Sequence, residues 1–408
     1  MNIPLSAPDI GDREVDYVKR VLKSGQLSLG PCLEEFEKQF ASYIGTRFAV
    51  AVNSGTSALH LCVRALGIGP EDEVITTSFS FVASVNCLLY EGALPALVDI
   101  DPHTLNLSPK AVRRFLVERC TPSTSGPPVD RETGRVIKAI LPVHIFGLPC
   151  QMDELMSIAR EYNLLVLEDA CEAVGATFKG QNVGTFGSAA VFAFYPNKQM
   201  TTGEGGMIAT NDPRIAELCR SMRNQGRDAT GTWLHHIRLG YNYRLSEVHA
   251  ALGLAQLDRI DELLGARAAV AGKYSELLLG RELLAVPEEF PNLERSWFVY
   301  FVRFLGNSPA ELRNRVRRAL REKGIASQVY FTPIHQQPFF DHCNPKAVSC
   351  LSHTNQAGEQ CLALPFHSRL TESEVEFVCE ALLTALESVS RDLIAPRIEL
   401  TSASSVTP

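Results

Sequence analysis

The chain holds 408 residues, 45% of them hydrophobic and 21% charged, with a formal net charge of −7. That length accommodates one large domain and a smaller one. The composition is globular rather than fibrous or disordered, and a mildly acidic balance without a basic stripe argues against nucleic acid as a partner. The 11 cysteines form no C-x-x-C pair and several lie in apolar runs (Cys62, Cys87, Cys219), as expected of small buried hydrophobes in a reducing cytoplasm. The N-terminus lacks a cationic start followed by an apolar core, so no signal peptide is expected. The uncharged stretch Ile75 to Tyr90 is too short and too polar to span a membrane.

In chain order, the patterns predict a strand over Phe48 to Asn53, a helix through Ala65, a strand over Val74 to Thr77, a helix over Val82 to Tyr90 and a strand over Leu94 to Val98. Cys120 to Arg135, rich in Pro, Ser, Thr and Gly, has the composition of a surface insertion loop. A strand over Ala139 to Ile145, a helix over Asp153 to Tyr162 and a strand over Leu164 to Leu167 follow. Val191 to Tyr195 is an interior strand, and the glycine turn Gly203 to Gly206 lets the chain start another at Met207 to Thr210. This alternation predicts an α/β fold with a largely parallel sheet. From Ser246 one long helix with an apolar stripe is expected to reach about Leu279, with the domain boundary inside it. The division is then a large domain over 1–250, a smaller C-terminal α+β domain over 251–395 and a disordered tail over 396–408. Within the smaller domain the patterns predict a strand over Ser296 to Phe304 and a helix over Pro309 to Lys323 with its arginines on a solvated face. The final helix runs from Thr371 to Leu393, and Thr371 and Glu374 have capping-box spacing.

Two residues carry the chemistry. Lys198 follows a buried apolar strand, where partial desolvation disfavours its ammonium and makes the free amine available for a Schiff base. Asp169 closes the apolar run Leu164 to Leu167 and Glu168, and a carboxylate at the C-terminal end of a parallel strand faces the usual ligand crevice. A lysine with an aspartate able to hold a pyridinium proton is the protein's share of pyridoxal phosphate chemistry; a surface lysine and a helix-capping aspartate would look the same in isolation. Ser54-Gly55-Thr56-Ser57 lies between strand and helix, which makes an anion site, an N-cap, or both. The histidines show no metal-ligand spacing, and Gly203 to Gly206 precedes a strand rather than joining strand to helix, unlike a dinucleotide loop.

The blocks Val52 to Leu59, Pro142 to Gly147, Glu168 to Ala173, Phe194 to Gly206 and Gly240 to Glu247 occur in one order over nearly the whole chain. Together they resemble the fold-type-I, pyridoxal-phosphate-dependent nucleotide-sugar aminotransferases. Within that family Glu168 to Ala173 and Asn197 to Gly206 look most like perosamine synthases, which place an amine at C4 of a 4-keto-6-deoxy sugar nucleotide. The resemblance implies a large domain with a mostly parallel seven-stranded sheet. It implies Lys198 as covalent anchor and proton carrier, Asp169 as partner of the ring nitrogen, and phosphate held by Gly55, Thr56 and Ser57. It further implies Phe81 stacked on the ring, Glu172 near the ring hydroxyl with a raised pKa or a tilt toward substrate, and L-glutamate as donor. Asn242, and with it Arg244, would be supplied by the neighbouring subunit of a homodimer. His335 and Arg244 are candidate substrate contacts, and His367 a weaker one. The chain departs from many relatives at Ala193, where a serine five residues before the lysine contacts the phosphate; one phosphate hydrogen bond is then missing, or Ser188 or a water replaces it. Amination at C3, a dehydratase (which carries His where this chain has Lys198) and a cofactor-binding regulator without turnover are the alternatives.

Overall fold

A computed structural model describes residues 2–121, 126–228, 234–340 and 350–394. Seven strands carry the main sheet: β1 (Phe48–Val52), β2 (Asp72–Thr77), β3 (Leu94–Val98), β4 (Val136–Ile140), β5 (Leu165–Asp169), β6 (Ala189–Ala193) and β7 (Gly206–Thr210). Their order across the sheet is β1-β7-β6-β5-β4-β2-β3. Every neighbouring pair is parallel except the two that β7 makes with β1 and β6. Every residue of β6 and β7 is buried, as strands covered on both faces require. This is the fold-type-I α/β architecture, with helices on the sheet and a C-terminal α+β layer.

Register sets the place of the chemistry. Val52 pairs with Gly206, Gly206 with Ala193, and Val191 with Asp169. The ends of β1, β6 and β5 and the start of β7 therefore share one edge of the sheet. Helix Gly55–Ala65 opens at that edge, where the Ser54 hydroxyl accepts the Ser57 N–H at 3.1 Å. Gly203 makes the return turn with φ 80°.

Several expectations change in detail. The stretch after Ser246 is two helices, Glu247–Leu257 and Ile260–Leu278. Arg259 fixes the break through Asp9 at 3.1 Å, Glu14 at 3.3 Å and Glu262 at 2.9 Å. Ile260 packs with the residues beneath the main sheet, whereas Val270, Tyr274 and Leu278 pack in the C-terminal core with Ile3. The expected insertion loop is partly sheet: Cys120–Thr121 pairs with Val129–Asp130, and Val129 with Val136 of β4. Asp130 there is fully buried and meets Arg119 at 2.8 Å; residues 122–125 of that stretch lie outside the described ones. The strand expected over Ser296 to Phe304 covers only Phe301–Phe304. Arg313 is buried rather than solvated, its guanidinium donating to the Gly358 carbonyl. The capping box forms as expected, with Thr371 N–H donating to Glu374 Oε2 at 2.9 Å and Glu374 N–H to Thr371 Oγ1 at 3.3 Å. The tail expected to be disordered lies outside the described residues. Among the described residues no helix is long and apolar enough to cross a membrane, and no group of three or more His, Cys, Asp or Glu could hold a metal.

Candidate active site

A cavity of about 670 Å³ opens at the shared sheet edge, between the strand ends and the segment Val329 to Thr332. Lys198 Nζ projects into it, 3.6 Å from Glu172 Oε1 and 4.0 Å from the centre of the Phe298 ring. Asp169 is 5% exposed. Its Oδ2 accepts the Ser84 hydroxyl at 2.7 Å and its Oδ1 the Cys171 N–H at 3.1 Å, while Ser80 Oγ lies 2.9 Å from Ser84 Oγ. The carboxylate is thus held in one orientation by donors to both of its oxygens.

The residue before it explains why the strand end is rigid. Glu168 is fully buried and accepts N–H groups of Gly184, Phe186 and Gly187 at 2.8, 2.9 and 2.8 Å. His144 takes the Cys150 N–H on Nδ1 at 3.0 Å, which leaves Nε2 protonated to donate to Glu168 Oε2 at 3.2 Å. The charge inside the apolar run is therefore structural and fully satisfied. Glu172 accepts the Phe146 N–H at 2.9 Å, and burial raises its pKa above the ordinary carboxylate value, against the pull of Lys198. Tyr330 also lines the cavity, and burial raises its pKa against the opposing pull of the Asn197 side chain.

The structure brings Lys198, Asp169, Gly55, Thr56, Phe81 and Glu172 onto one cavity wall. Phe81 is 59% exposed, so its ring is free to cover a ligand. Ser57 Oγ is turned to Ser54 Oγ at 2.9 Å and lies in the first helical turn. Four expected residues do not line this cavity. His335 is a tie between layers: Ser78 Oγ lies 2.7 Å from its Nδ1 and Asn355 Oδ1 3.0 Å from its Nε2. Burial lowers its pKa, consistent with a neutral ring whose two nitrogens are both used. Arg244 is committed to Asn224 Oδ1 and Gln225 Oε1, each at 2.9 Å. Asn242 is exposed and away from this chain's own cavity. His367 is buried with Nδ1 unpartnered and does not line the cavity. Ser188 cannot replace the missing serine, because it sits just before the first residue of β6, at the opposite end of that strand from Ala193. Ser84, Phe298 and Tyr330 were not expected: a serine in a short helix and aromatics in apolar runs carry no distinguishing pattern.

The donor set fits pyridoxal phosphate. Gly55 and Thr56 open a helix whose first N–H groups have no partner within the helix, suited to a phosphate. The close packing there needs glycine, since a Cβ on Gly55 would stand 2.8 Å from Ala193 Cβ and 3.1 Å from Cys171 Sγ. Asp169 provides a fixed anion for a ring nitrogen and Lys198 an amine for an aldehyde carbon.

The model of the DegT/DnrJ/EryC1/StrS aminotransferase family matches residues 8–383. A GDP-perosamine synthase of Caulobacter vibrioides is 41% identical over 383 residues, covering 93% of this chain and 97% of that protein. Among solved structures, DesV of S. venezuelae is 32% identical with TM-score 0.81, covering 94% of this chain and 99% of the other. The PLP form of the putative sugar aminotransferase Spr1654 of Streptococcus pneumoniae is 27% identical with TM-score 0.85, covering 95% and 100%.

Proposed function

The chain belongs to the DegT/DnrJ/EryC1/StrS aminotransferase family of pyridoxal-phosphate-dependent sugar aminotransferases, and from that premise we propose that it moves the amine of L-glutamate to C4 of a 4-keto-6-deoxy sugar nucleotide. The observation that carries this reading is the joint placement of Lys198, Asp169 and the Gly55 helix start on one cavity wall. The likeness to GDP-perosamine synthase favours C4 over C3. Such a reaction belongs to amino-sugar and polysaccharide biosynthesis in the cytoplasm.

Bound pyridoxal phosphate supplies an aldehyde carbon that links to amines and a ring that withdraws electrons from the neighbouring carbon. The chain's residues do the rest. Lys198 Nζ would anchor the cofactor and, as a free amine, would take the proton from the donor's α carbon. Asp169, oriented by Ser84, would keep the ring nitrogen protonated. Gly55, Thr56 and Ser57 would hold the phosphate, Phe81 would cover the ring, and Glu172, 3.6 Å from Lys198 Nζ, would lie toward the ring oxygen. The same groups then act in reverse on the keto sugar.

The cavity also supports a homodimer with shared sites. Among the described residues its walls carry one cation, Lys198, against the carboxylates Asp169, Glu172 and Glu204. It must nevertheless take a phosphate, a dicarboxylate and a nucleotide diphosphate. Cations and amides from a second copy, Arg244 and Asn242 among them, would correct that imbalance.

The test converts the purified protein to its pyridoxamine form and mixes it with a panel of keto-sugar nucleotides. Return of the lysine-linked absorbance band with a 4-keto-6-deoxy member supports the reading. Return only with 3-keto members would move the amination to C3, and no half-reaction with glutamate or any sugar would leave a cofactor binder without turnover.

A further inference from the structure

Arg267, in helix Ile260–Leu278, is 3% exposed. Among the described residues no carboxylate forms an ion pair with it. Asp9, whose field reaches it, is engaged by Arg259 at 3.1 Å and by the Ser368 hydroxyl at 2.8 Å. Burial pushes the guanidinium down to about 10. Its donors go to backbone carbonyls on two separate segments. One nitrogen reaches the carbonyl of Lys198 at 2.7 Å and that of Asn197 at 3.5 Å. The other reaches the carbonyls of Phe298 at 3.2 Å and Trp297 at 3.4 Å. The guanidinium also lies 5.5 Å from the centre of the Phe366 ring.

Burying a cation without a counter-charge is costly, so the arrangement calls for a reason. The two segments it joins are the ones that face each other inside the cavity: Phe298 presents its ring face to Lys198 Nζ at 4.0 Å. We propose that Arg267 is a positioning residue, which clamps the Lys198 turn and the Phe298 segment together and so holds the amine over the ring face. A planar fork with five donors can serve both segments at once, whereas a lysine, a point charge with three donors, cannot. The inference rests on the reading of Lys198 given above. The titratable groups that line the cavity with that amine are Asp169, Cys171, Glu172, Tyr195, Glu204 and Tyr330.

The test uses holoenzyme of Arg267→Lys and Phe298→Leu. In wild type, borohydride must bleach the visible band and leave the adduct on Lys198; failure there overturns the lysine reading itself rather than the clamp. Given that result, both variants should retain cofactor while the pH midpoint of the visible band moves lower. The protonated nitrogen loses the ring's negative face, by about half a pH unit to one unit. Arg267→Lys should lower kcat by about 100-fold, as misplacement near 1 Å does, with KM for the keto sugar little changed. An Arg267→Lys protein with wild-type kcat and an unmoved midpoint, whatever its thermal stability, would reduce Arg267 to a packing role and overturn the proposal. If that variant does not fold, an unmoved midpoint in Phe298→Leu overturns it equally.

Discussion

Glu172 Oε1 stands 3.6 Å from Lys198 Nζ while its Oε2 accepts the Phe146 N–H at 2.9 Å, so one buried carboxyl links the cofactor lysine to the loop after β4. Burial raises the pKa of Glu172. Its charge is therefore lost, as pH falls, at a higher pH than an ordinary carboxylate would lose it. The acid limb of kcat/KM should lie above the usual carboxylate range in wild type. Glu172→Gln keeps the Phe146 contact and should flatten that limb, with a neutral-pH rate about tenfold lower. An identical acid limb in the variant would remove Glu172 from the profile.

Asp169→Asn should keep cofactor binding but slow α-proton abstraction strongly, because the ring nitrogen loses its anion. Ser84→Ala is the finer probe. It deletes one donor at 2.7 Å to a charged oxygen, and hydrogen bonds to charged groups contribute about 1.5–3 kcal/mol. The half-reaction with glutamate, followed by stopped flow, should slow by roughly tenfold to a hundredfold. Wild-type rates in both variants would rule out Asp169 as the nitrogen's partner.

Lys198 and Asp169 were legible because each ends a run of apolar residues whose only plausible place is a covered parallel strand, and such strand ends face the crevice. The parallel sheet followed from the same rhythm. Ser84 and Arg267 were not legible: a serine in a seven-residue helix and an arginine in an amphipathic helix look like ordinary surface residues, and only the fold turns them inward. The break at Asp258 was hidden because the apolar stripe continues across it while changing the layer it covers. His335 lies in a loop next to the cavity-lining segment, and sequence could not say that its ring turns to Ser78 and Asn355 instead.

Ala193 lies at the cavity edge against the start of helix Gly55–Ala65. Ala193→Ser adds a hydroxyl where many relatives have one. One further hydrogen bond to phosphate should tighten cofactor binding by about threefold to tenfold. A fluorescence titration of the apoprotein measures this; equal or weaker affinity would mean that the phosphate is not held beside this residue.

Glu73 predicts a stability change with pH far from the site. It is fully buried in β2 beside Asp130, accepts the Thr133 hydroxyl at 2.8 Å, and burial raises its pKa from 4.5 to about 7. Between those values the folded state binds more protons than the unfolded one. Its contribution to stability therefore falls as pH rises from 4.5 to about 7 and stays low above. Glu73→Gln, which still accepts from Thr133, should match wild type near the low end and exceed it at pH 8 by at most about 3 kcal/mol. Thermal unfolding of both proteins at the two pH values decides it; equal Tm differences at both would mean that Glu73 does not carry the slope.

Asn242 tests the shared site. It lies between Tyr241 and Tyr243, whose rings stack on each other at 4.9 Å and turn toward His60. The backbone around it is pinned, with Tyr241 N–H donating to the Met222 carbonyl and Tyr243 N–H to that of Arg223. The Asn242 side chain is left exposed, off its own chain's cavity, whose walls offer Lys198 as their one cation among the described residues. An asparagine fixed outward on a rigid segment is suited to a neighbour's phosphate. The experiment mixes Lys198→Ala protein with Asn242→Ala protein, each inactive or impaired alone, under conditions where subunits exchange. In a mixed dimer with sites built across the interface, both defects fall in one site and the other is intact. About half the dimers in an equal random mixture are mixed, so recovery should approach a quarter of wild-type activity. No recovery despite exchange seen by mass would place Asn242 in the site of its own subunit.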